Sequence, residues 1–220
     1  MEKIGNYRWT ICGLVFFATT VNYLDRQVIS LLKSTLSEEL NWNDGDYANI
    51  EIAFKLFYAF GMLGAGRLVD KLGTKIGYAV ATTLWSVAAV AHALVNSVLG
   101  FAVVRSALGI TEAGNFPAAI KTVAEWFPKK ERAFATGIFN SGTNFGAIIA
   151  PLSVPFIAAE MGWQWAFIIT GMLGFVWLVL WLMFYETPAK SPRLSKAEYD
   201  YIHSDAAEVL ADKNDIDKPQ

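Results

Sequence analysis

Five ionisable side chains interrupt stretches of the sequence that are otherwise apolar. They are Asp25, Arg26, Lys55, Arg105 and Glu112, and they fall on three such stretches. A charge at the centre of a bilayer-spanning helix costs about 2.5–3.5 kcal/mol on insertion scales, so charges of this kind mark an ion or substrate pathway by default. The alternative for any one pair is a buried ion pair that only fixes helix packing. Because there are five charges on three helices, we favour a functional cavity.

The signs of these charges indicate the ligand that such a cavity suits. Three are positive and two are negative, which leaves one net positive charge, or three once both carboxyl groups carry protons. Arginine matches a planar carboxylate because its guanidinium donates two parallel hydrogen bonds. An acid beside that arginine is a candidate proton carrier, since an anionic substrate that draws the arginine away favours protonation of the acid. The set therefore predicts proton-coupled binding of an anion.

Helical spacing groups the charges of two segments. Arg105 and Glu112 are seven residues apart, on one face of a helix, and Asn22 lies within one turn of both Asp25 and Arg26. The first segment thus offers an amide and two charges, and the later one offers a cation and an acid. We expect both groups to face the same cavity.

Two further polar stripes are weaker candidates for substrate contacts. Glu51, Lys55 and Tyr58 follow one another at helical spacing, and we expect Glu51 to support Lys55. Asn140 and Asn144 share a face of a later segment. Amides inside membranes more often bond to a neighbouring helix than to a ligand, so these asparagines rank second.

Composition argues against several other classes of protein. The 220 residues are 54% hydrophobic and only 17% charged, and the net charge of −2 gives no electrostatic basis for binding nucleic acid. One cysteine and two histidines provide no disulfide framework and no Cys/His metal site. We also find no nucleophile–base arrangement, so we expect neither an enzyme nor a cofactor.

Six apolar segments reach the roughly 20 residues that a helix needs to cross a bilayer. We predict an all-α membrane protein with spans at about residues 9–32, 47–66, 76–98, 101–124, 134–158 and 165–185. Lysine and arginine concentrate in the N-terminus, in the connections after the second and fourth spans, and in the tail. By the positive-inside rule these regions are cytoplasmic.

The chain divides at its last predicted span. Residues 1–188 are expected to form the transmembrane bundle, and residues 189–220 a cytoplasmic loop or tail that is partly helical or disordered. Ser195 and Glu198 have the spacing of a capping box, which predicts a short helix after them. We expect this tail to be solvated and assign no chemistry to it.

The connection after the second span reads GRLVDKLGTK at residues 66–75. It resembles the loop signature of the major facilitator superfamily: Gly66, Asp70, Gly73 and Lys75 match, and Arg67 adds charge. In that superfamily the loop serves the conformational switch. NYLDR at 22–26, FNSGTNFGAIIAP at 139–151 and GWQWAFIITG at 162–171 resemble the anion:cation symporter family. Within that family, EAGNFPAAIKTVAEWFPKKERA at 112–133 and GWQWAFIITG resemble bacterial hexuronate transporters.

The resemblance implies roles for individual residues. It implies that Asp25 and Glu112 take up and release the proton. It also implies that Arg26 and Arg105 bind either the substrate carboxylate or these two acids. Tyr23 and Tyr58 would contact the substrate hydroxyls. Lys55 is outside the shared signature, and its role rests on the charge argument alone. It either binds the substrate carboxylate or neutralises Glu51.

Such transporters have twelve helices in two halves with the substrate between them, and each half contains two inverted three-helix repeats. We therefore expect this chain to be the N-terminal half of a proton-coupled hexuronate symporter in the bacterial inner membrane, as a fragment or a split gene product. A C-terminal six-helix half is then its missing partner. The alternatives are symport of another anion such as galactonate or glucarate, sodium in place of the proton, and a transporter-like sensor of organic anions.

Overall fold

The computed structural model describes residues 4–205, and all regular elements within that range are helical. The helices are α1 Tyr7–Leu31, α2 Lys33–Leu40, α3 Asp44–Leu72, α4 Thr74–Ala91, α5 Val98–Glu112, α6 Asn115–Trp126, α7 Lys129–Met161, α8 Trp163–Phe184 and α9 Lys196–Ile202. Short 3₁₀ turns follow α4 at His92–Leu94 and α8 at Pro188–Lys190. The prediction of an all-α protein is confirmed.

Four stretches are long and apolar enough to cross a membrane: Asp44–Leu72, Thr74–Leu94, Lys129–Met161 and Trp163–Phe184. Large apolar side chains point outward from two of them, with Leu63 76% exposed on α3 and Leu152 74% exposed on α7. Such surfaces are unfavourable in water and suit hydrocarbon or another apolar surface. These features are those of a membrane protein.

The predicted fourth span is a pair of helices rather than one. The α-helical hydrogen bonding of α5 ends at Glu112, and α6 begins at Asn115. Ala113 and Gly114 keep right-handed helical dihedral angles, so the interruption is a kink and not a loop. Its physical cause is Pro117, which has no N–H and whose ring crowds the carbonyl group of residue 113.

The helices pair in a pattern that fits an internal two-fold relation. α1 packs along α7, α3 packs along α5, and α4 packs against α8. If α1, α3 and α4 correspond to α5–α6, α7 and α8, then the α1–α7 contact is the counterpart of the α5–α3 contact. The α4–α8 contact is then its own counterpart. Two three-helix repeats are expected to pair in this way.

Glycines make both of these counterpart contacts close. A Cβ on Gly142 of α7 would lie 2.6 Å from the carbonyl oxygen of Phe16 in α1. A Cβ on Gly61 of α3 would lie 2.7 Å from the carbonyl oxygen of Ile110 in α5. Small residues of this kind let membrane helices approach backbone to backbone. The site-bearing helices α1 and α5 are therefore each held tightly by one partner.

The tail helix α9 packs onto the bundle, and the prediction of a solvated tail is wrong at Glu198 and Ile202, which are buried. The Glu198 side chain is 1% exposed and accepts hydrogen bonds from the backbone N–H groups of Tyr7 at 3.2 Å and Arg8 at 3.1 Å. It also accepts one from Nη1 of Arg8 at 3.1 Å. The start of a helix leaves N–H groups without partners, and a carboxylate satisfies them. Residues 206–220 of the predicted tail lie outside the described range.

Candidate functional site

Helices α1, α3 and α5 bring four of the five predicted charges to one place, together with Glu51. Nε of Arg26 donates a hydrogen bond to Oε2 of Glu112 at 2.6 Å, and the Glu112 side chain is fully buried. Nη2 of Arg105 donates to the carbonyl oxygen of Arg26 and to Oε1 of Glu51, each at 2.9 Å. The backbone carbonyl group of Arg26 thus links the Arg26–Glu112 ion pair to the Arg105–Glu51 ion pair.

Two aromatic rings of α3 form the floor under both guanidinium groups. Phe54 and Tyr58 are stacked, with ring centroids 5.9 Å apart. The guanidinium carbon of Arg26 lies 4.4 Å from the Tyr58 centroid, and that of Arg105 lies 4.5 Å from the Phe54 centroid. Cation–π contacts of this kind stabilise a partly desolvated arginine and set the plane of its donors. Tyr58 therefore lies beside Arg26, and its predicted contact with substrate stays a prediction.

Several buried polar atoms of the site have no hydrogen-bond partner among residues 4–205. They are both carboxyl oxygens of Asp25, Nδ2 of Asn22, Oε1 of Glu112, and Nε and Nη1 of Arg105. Nine-tenths or more of buried polar groups in proteins are paired, so a concentration of unpaired ones is informative. An ionised carboxylate without partners is very unfavourable when buried and is relieved by taking a proton. Asp25 is only 2% exposed and meets that description.

Lys55 lies apart from this cluster. Its side chain is exposed, and within the described part of the chain it forms no ion pair. The expectation that Glu51 supports Lys55 is wrong for this structure, because Glu51 pairs with Arg105. The physical reason is that Arg105 is almost fully buried and needs a counter-ion more than an exposed lysine does.

Because Glu51 joins the cluster and Lys55 lies outside it, the net charge of the cluster differs from the one that the sequence suggested. The cluster contains two cations, Arg26 and Arg105, and three acids, which are the paired Glu51 and Glu112 and the buried, unpaired Asp25. Their formal charges sum to −1. With all five groups ionised, an anion would therefore be repelled. Proton uptake by two of the acids would reverse the sign of this sum.

The other predicted contacts lie around the cluster. Asn22 is buried on α1, one turn before Asp25. Tyr23 is half-buried where α1 meets α7, and a Cβ on Gly146 would lie 3.1 Å from the Tyr23 Cβ. On α7, Asn140 is half-buried and Asn144 is exposed. The substrate roles of these four residues stay predictions.

The predicted gating loop is mostly helical. Gly66, Arg67 and Asp70 lie in the last turns of α3, and Lys75 lies in the first turn of α4. Gly73 alone separates the two helices, at φ +77°. A positive φ is easily reached only by glycine, which explains this residue. The helix continues beyond its predicted end at residue 66 because Val69 is buried against Gly77 of α4.

Two ion pairs fasten this segment to its neighbours. Nζ of Lys121 in α6 donates to Oδ1 of Asp70 at 2.7 Å. Nζ of Lys75 donates to Oε2 of Glu186, just after α8, at 2.7 Å. The hydrogen bond from Lys75 holds the pKa of the Glu186 carboxyl below its usual range. The segment therefore ties the ends of α3, α4, α6 and α8 together.

Sequence reasoning missed one member of the site and assigned the wrong partner to another. Phe54 was not selected, although it lies one turn before Tyr58 and extends the same aromatic stripe. Glu51 was noted, but its partner was misassigned. Contacts between α3 and α5 join residues about 50 positions apart, and helical periodicity within one segment carries no information on them.

Comparison with known proteins places this geometry in context. Residues 15–212 match the family model of the Major Facilitator Superfamily. The hexuronate transporter of Escherichia coli K12 is 44% identical over 202 residues, which are 92% of this chain and 47% of that protein. The galacturonate transporter of Dickeya chrysanthemi is 42% identical, over 93% of this chain and 59% of the relative. The D-galactonate transporter of Escherichia coli O6:H1 is 30% identical, over 96% and 49%.

Solved structures agree on the fold. A bacterial homologue of the human lysosomal transporter Spinster, inward-facing and unoccupied, superposes with a TM-score of 0.75 at 20% identity. It is matched over 88% of this chain and 47% of that chain. A proton:xylose symporter bound to 6-bromo-6-deoxy-D-glucose gives a TM-score of 0.73 at 16% identity, over 94% and 51%.

These matches confirm the resemblance that the sequence runs indicated, both to the superfamily and to hexuronate transporters. The chain spans about half the length of the curated relatives it matches. Those relatives are named as transporters, and none of the three is named as an enzyme.

Proposed function

This chain belongs to the Major Facilitator Superfamily, and on that premise we propose that it is the N-terminal half of a proton-coupled hexuronate symporter. Six spans make up this half: α1, α3, α4, the α5–α6 pair, α7 and α8. Residues 1–188 form the bundle, and residues 189–220 begin the cytoplasmic connection to a C-terminal half that completes the substrate site. The N-terminus faces the cytoplasm of a bacterium, because lysine and arginine concentrate at that end of the bundle.

The observation that carries the proposal is the buried cluster of two guanidinium groups and three carboxyl groups. Arg105 keeps Nε and Nη1 unpaired, and each of them forms with Nη2 a parallel donor pair that a planar carboxylate accepts. A hexuronate carries one carboxylate and several hydroxyl groups. Its carboxylate binds Arg105, and Tyr23, Tyr58 and the amides of Asn22, Asn140 and Asn144 contact its hydroxyls.

Proton coupling follows from the charge balance of the same cluster. With all five groups ionised the cluster carries a formal sum of −1, and an anion raises the negative charge further. Asp25 and Glu112 take up protons, which turns the cluster positive and permits the anion to bind. Each change of one pKa unit through this coupling corresponds to about 1.4 kcal/mol. Loss of the protons on the cytoplasmic side then favours release.

The ion pairs at the helix ends supply the conformational control in this proposal. Asp70 with Lys121, and Lys75 with Glu186, hold the ends of four helices in one arrangement. Exposed pairs of this kind contribute only about 0–1 kcal/mol each, so they can break and re-form during alternating access. Gly66, Arg67 and Gly73 belong to the same gating segment.

Uptake into proteoliposomes tests the proposal. The protein is this chain joined to, or co-expressed with, its C-terminal half, here named the completed transporter. We expect labelled glucuronate or galacturonate to accumulate under an imposed pH gradient, and Arg105→Gln to lower the initial rate by at least about tenfold because the fork is lost. Glu38→Gln on the exposed face of α2 is the matched control and should transport normally.

The competing outcomes are distinct. Accumulation that follows a sodium gradient and not a pH gradient would show that sodium, and not the proton, is the coupling ion. Uptake of galactonate but of neither glucuronate nor galacturonate would show that the substrate is galactonate, in keeping with the 30% identical galactonate relative. Equal uptake by Arg105→Gln and the unaltered protein would contradict the assigned carboxylate site.

A further inference from the structure

Glu51 differs from the other two acids of the cluster in its access to the cavity. Asp25 is 2% exposed and Glu112 is fully buried, whereas the Glu51 side chain is 20% exposed. It reaches Arg105 from a different helix, α3, and occupies one of the three guanidinium nitrogens at 2.9 Å. The carboxylate that holds Arg105 is therefore also the one of the three with room to move.

Arg105 has hydrogen-bond donors for a second carboxylate, and no carboxyl group among the described residues occupies them. Its side chain is 2% exposed, yet Nε and Nη1 have no partner among residues 4–205. Glu51 accepts a single hydrogen bond, from Nη2, and both parallel donor pairs, Nε with Nη2 and Nη1 with Nη2, need that nitrogen. A carboxylate that accepts from two of these nitrogens binds more strongly than this one-point contact. The Glu51 carboxylate thus occupies Arg105 as a substrate carboxylate would, but binds it more weakly.

A displaced Glu51 has a new partner at hand. Lys55 follows it by four residues on the same helix, and its exposed ammonium group pairs with no carboxylate in the described part of the chain. Glutamate four residues before lysine is the favourable order for such a pair on a helix. Side chains four residues apart on a helix are neighbours, about 5–6 Å apart between Cβ atoms, so a change of the Glu51 rotamer is expected to bring it from Arg105 to Lys55.

We propose that Glu51 is a positioning residue that exchanges partners: it holds Arg105 in the empty site and moves to Lys55 when a substrate carboxylate takes Arg105. This inference rests on the proposed function, since it assumes that Arg105 binds a carboxylate. It gives Lys55 an indirect role, as the acceptor of Glu51, in place of direct contact with substrate. The cost of freeing Arg105 from Glu51 lowers substrate affinity and speeds release.

Equilibrium binding of galacturonate, glucuronate and galactonate to the completed transporter tests the exchange. We expect the Glu51→Gln variant to bind the substrate about tenfold more tightly than the unaltered protein does, because the Glu51 carboxylate no longer competes for Arg105. This factor corresponds to about 1.4 kcal/mol. Lys55→Gln should bind about threefold more weakly, since a displaced Glu51 then has no partner. The double variant should match Glu51→Gln alone. Glu38→Gln, which removes an exposed acid from α2, should leave the dissociation constant unchanged.

Thermal unfolding separates positioning from a purely structural role. We expect Glu51→Gln to lower the melting temperature of the empty protein, because buried Arg105 loses its counter-ion. The same variant should gain a larger melting-temperature increase from substrate than the unaltered protein does. A melting temperature that falls without tighter binding would overturn the proposal.

The remaining outcomes are equally decisive. If Lys55→Gln weakens binding by the same factor with Glu51 and with Gln at position 51, Lys55 contacts substrate directly and the exchange is wrong. If the unaltered protein binds a carboxylate and Glu51→Gln binds it no better, the inference fails while the proposed function survives. If only galactonate binds, and more tightly to Glu51→Gln, the hexuronate assignment fails and the exchange stands. If no carboxylate binds either protein, both fail.

Discussion

Nε of Arg26 lies 2.6 Å from Oε2 of Glu112, in an ion pair that joins α1 to α5 across 86 positions of the chain. The acid is fully buried, and the guanidinium is also held over the ring of Tyr58. The two helices that carry the proposed proton and substrate groups are thus linked by those groups. A change of protonation at Glu112 therefore acts directly on the contact between these helices.

Removing one member of this pair should destabilise the protein more than removing both. Arg26→Met leaves the buried Glu112 without its partner, and we expect the free energy of unfolding to fall by about 3–5 kcal/mol. The double variant Arg26→Met with Glu112→Gln should recover most of that loss. Denaturant unfolding in detergent measures both. Equal losses in the single and double variants would show that the pair contributes little.

Glycine at position 109 is required by the contact between α5 and α3. A Cβ there would lie 2.5 Å from the carbonyl oxygen of Phe54, which itself supports Arg105. We expect Gly109→Ala to cost about 1–3 kcal/mol through overpacking, and to shift the aromatic floor of the site. Gly64→Ala on the same α3 is the control, because nothing lies within 4 Å of its Cβ position. A neutral Gly109→Ala would contradict the close packing.

The buried carboxyl group of Glu198 anchors the tail to the start of α1. Glu198→Gln removes the charge that three donors of Tyr7 and Arg8 share, and hydrogen bonds to charged groups are worth about 1.5–3 kcal/mol each. We expect the melting temperature to fall and protease cleavage near residue 195 to speed up. Asp200→Asn, an exposed acid of the same helix, should change neither. Matching behaviour of the two variants would argue against the anchor.

Acid should weaken the Lys75–Glu186 pair in a defined direction. Its hydrogen bond lowers the pKa of Glu186 from the usual 4.5, so its contribution to stability is complete above that value and is lost as pH falls through the lowered pKa. Lys75→Met removes the contribution at every pH. The melting temperature of the unaltered protein should therefore fall more between about pH 6 and about pH 3 than that of Lys75→Met. Parallel pH curves would contradict this.

Helix positions were largely predictable from the sequence, because apolar length and the spacing of glycine and proline are local signals. The predicted first span, 9–32, corresponds to α1 at Tyr7–Leu31. The stop before α4 was misplaced because Gly73 alone interrupts the helical run, so residues 66–72 remain in α3. The kink at Ala113 also has a local signal, Pro117, four residues later in the chain.

The site was predictable as a list of residues and less so as a set of pairs. Charges inside apolar segments identified Asp25, Arg26, Arg105 and Glu112 without knowledge of the fold. The pairing of Glu51 with Arg105, 54 positions apart, depends on how α3 packs on α5. The contact of Glu198 with Arg8 spans 190 positions and has no local signature either. Long-range partners are decided by packing, which a single sequence does not state.

Proton movement during substrate uptake tests the central claim most directly. The completed transporter is reconstituted with a pH-sensitive dye in the vesicle lumen, and galacturonate or glucuronate is added outside without an imposed gradient. We predict that the lumen acidifies together with uptake, and that Glu112→Gln abolishes the acidification. Uptake at an undiminished rate with no change in lumen pH would contradict proton coupling through this cluster.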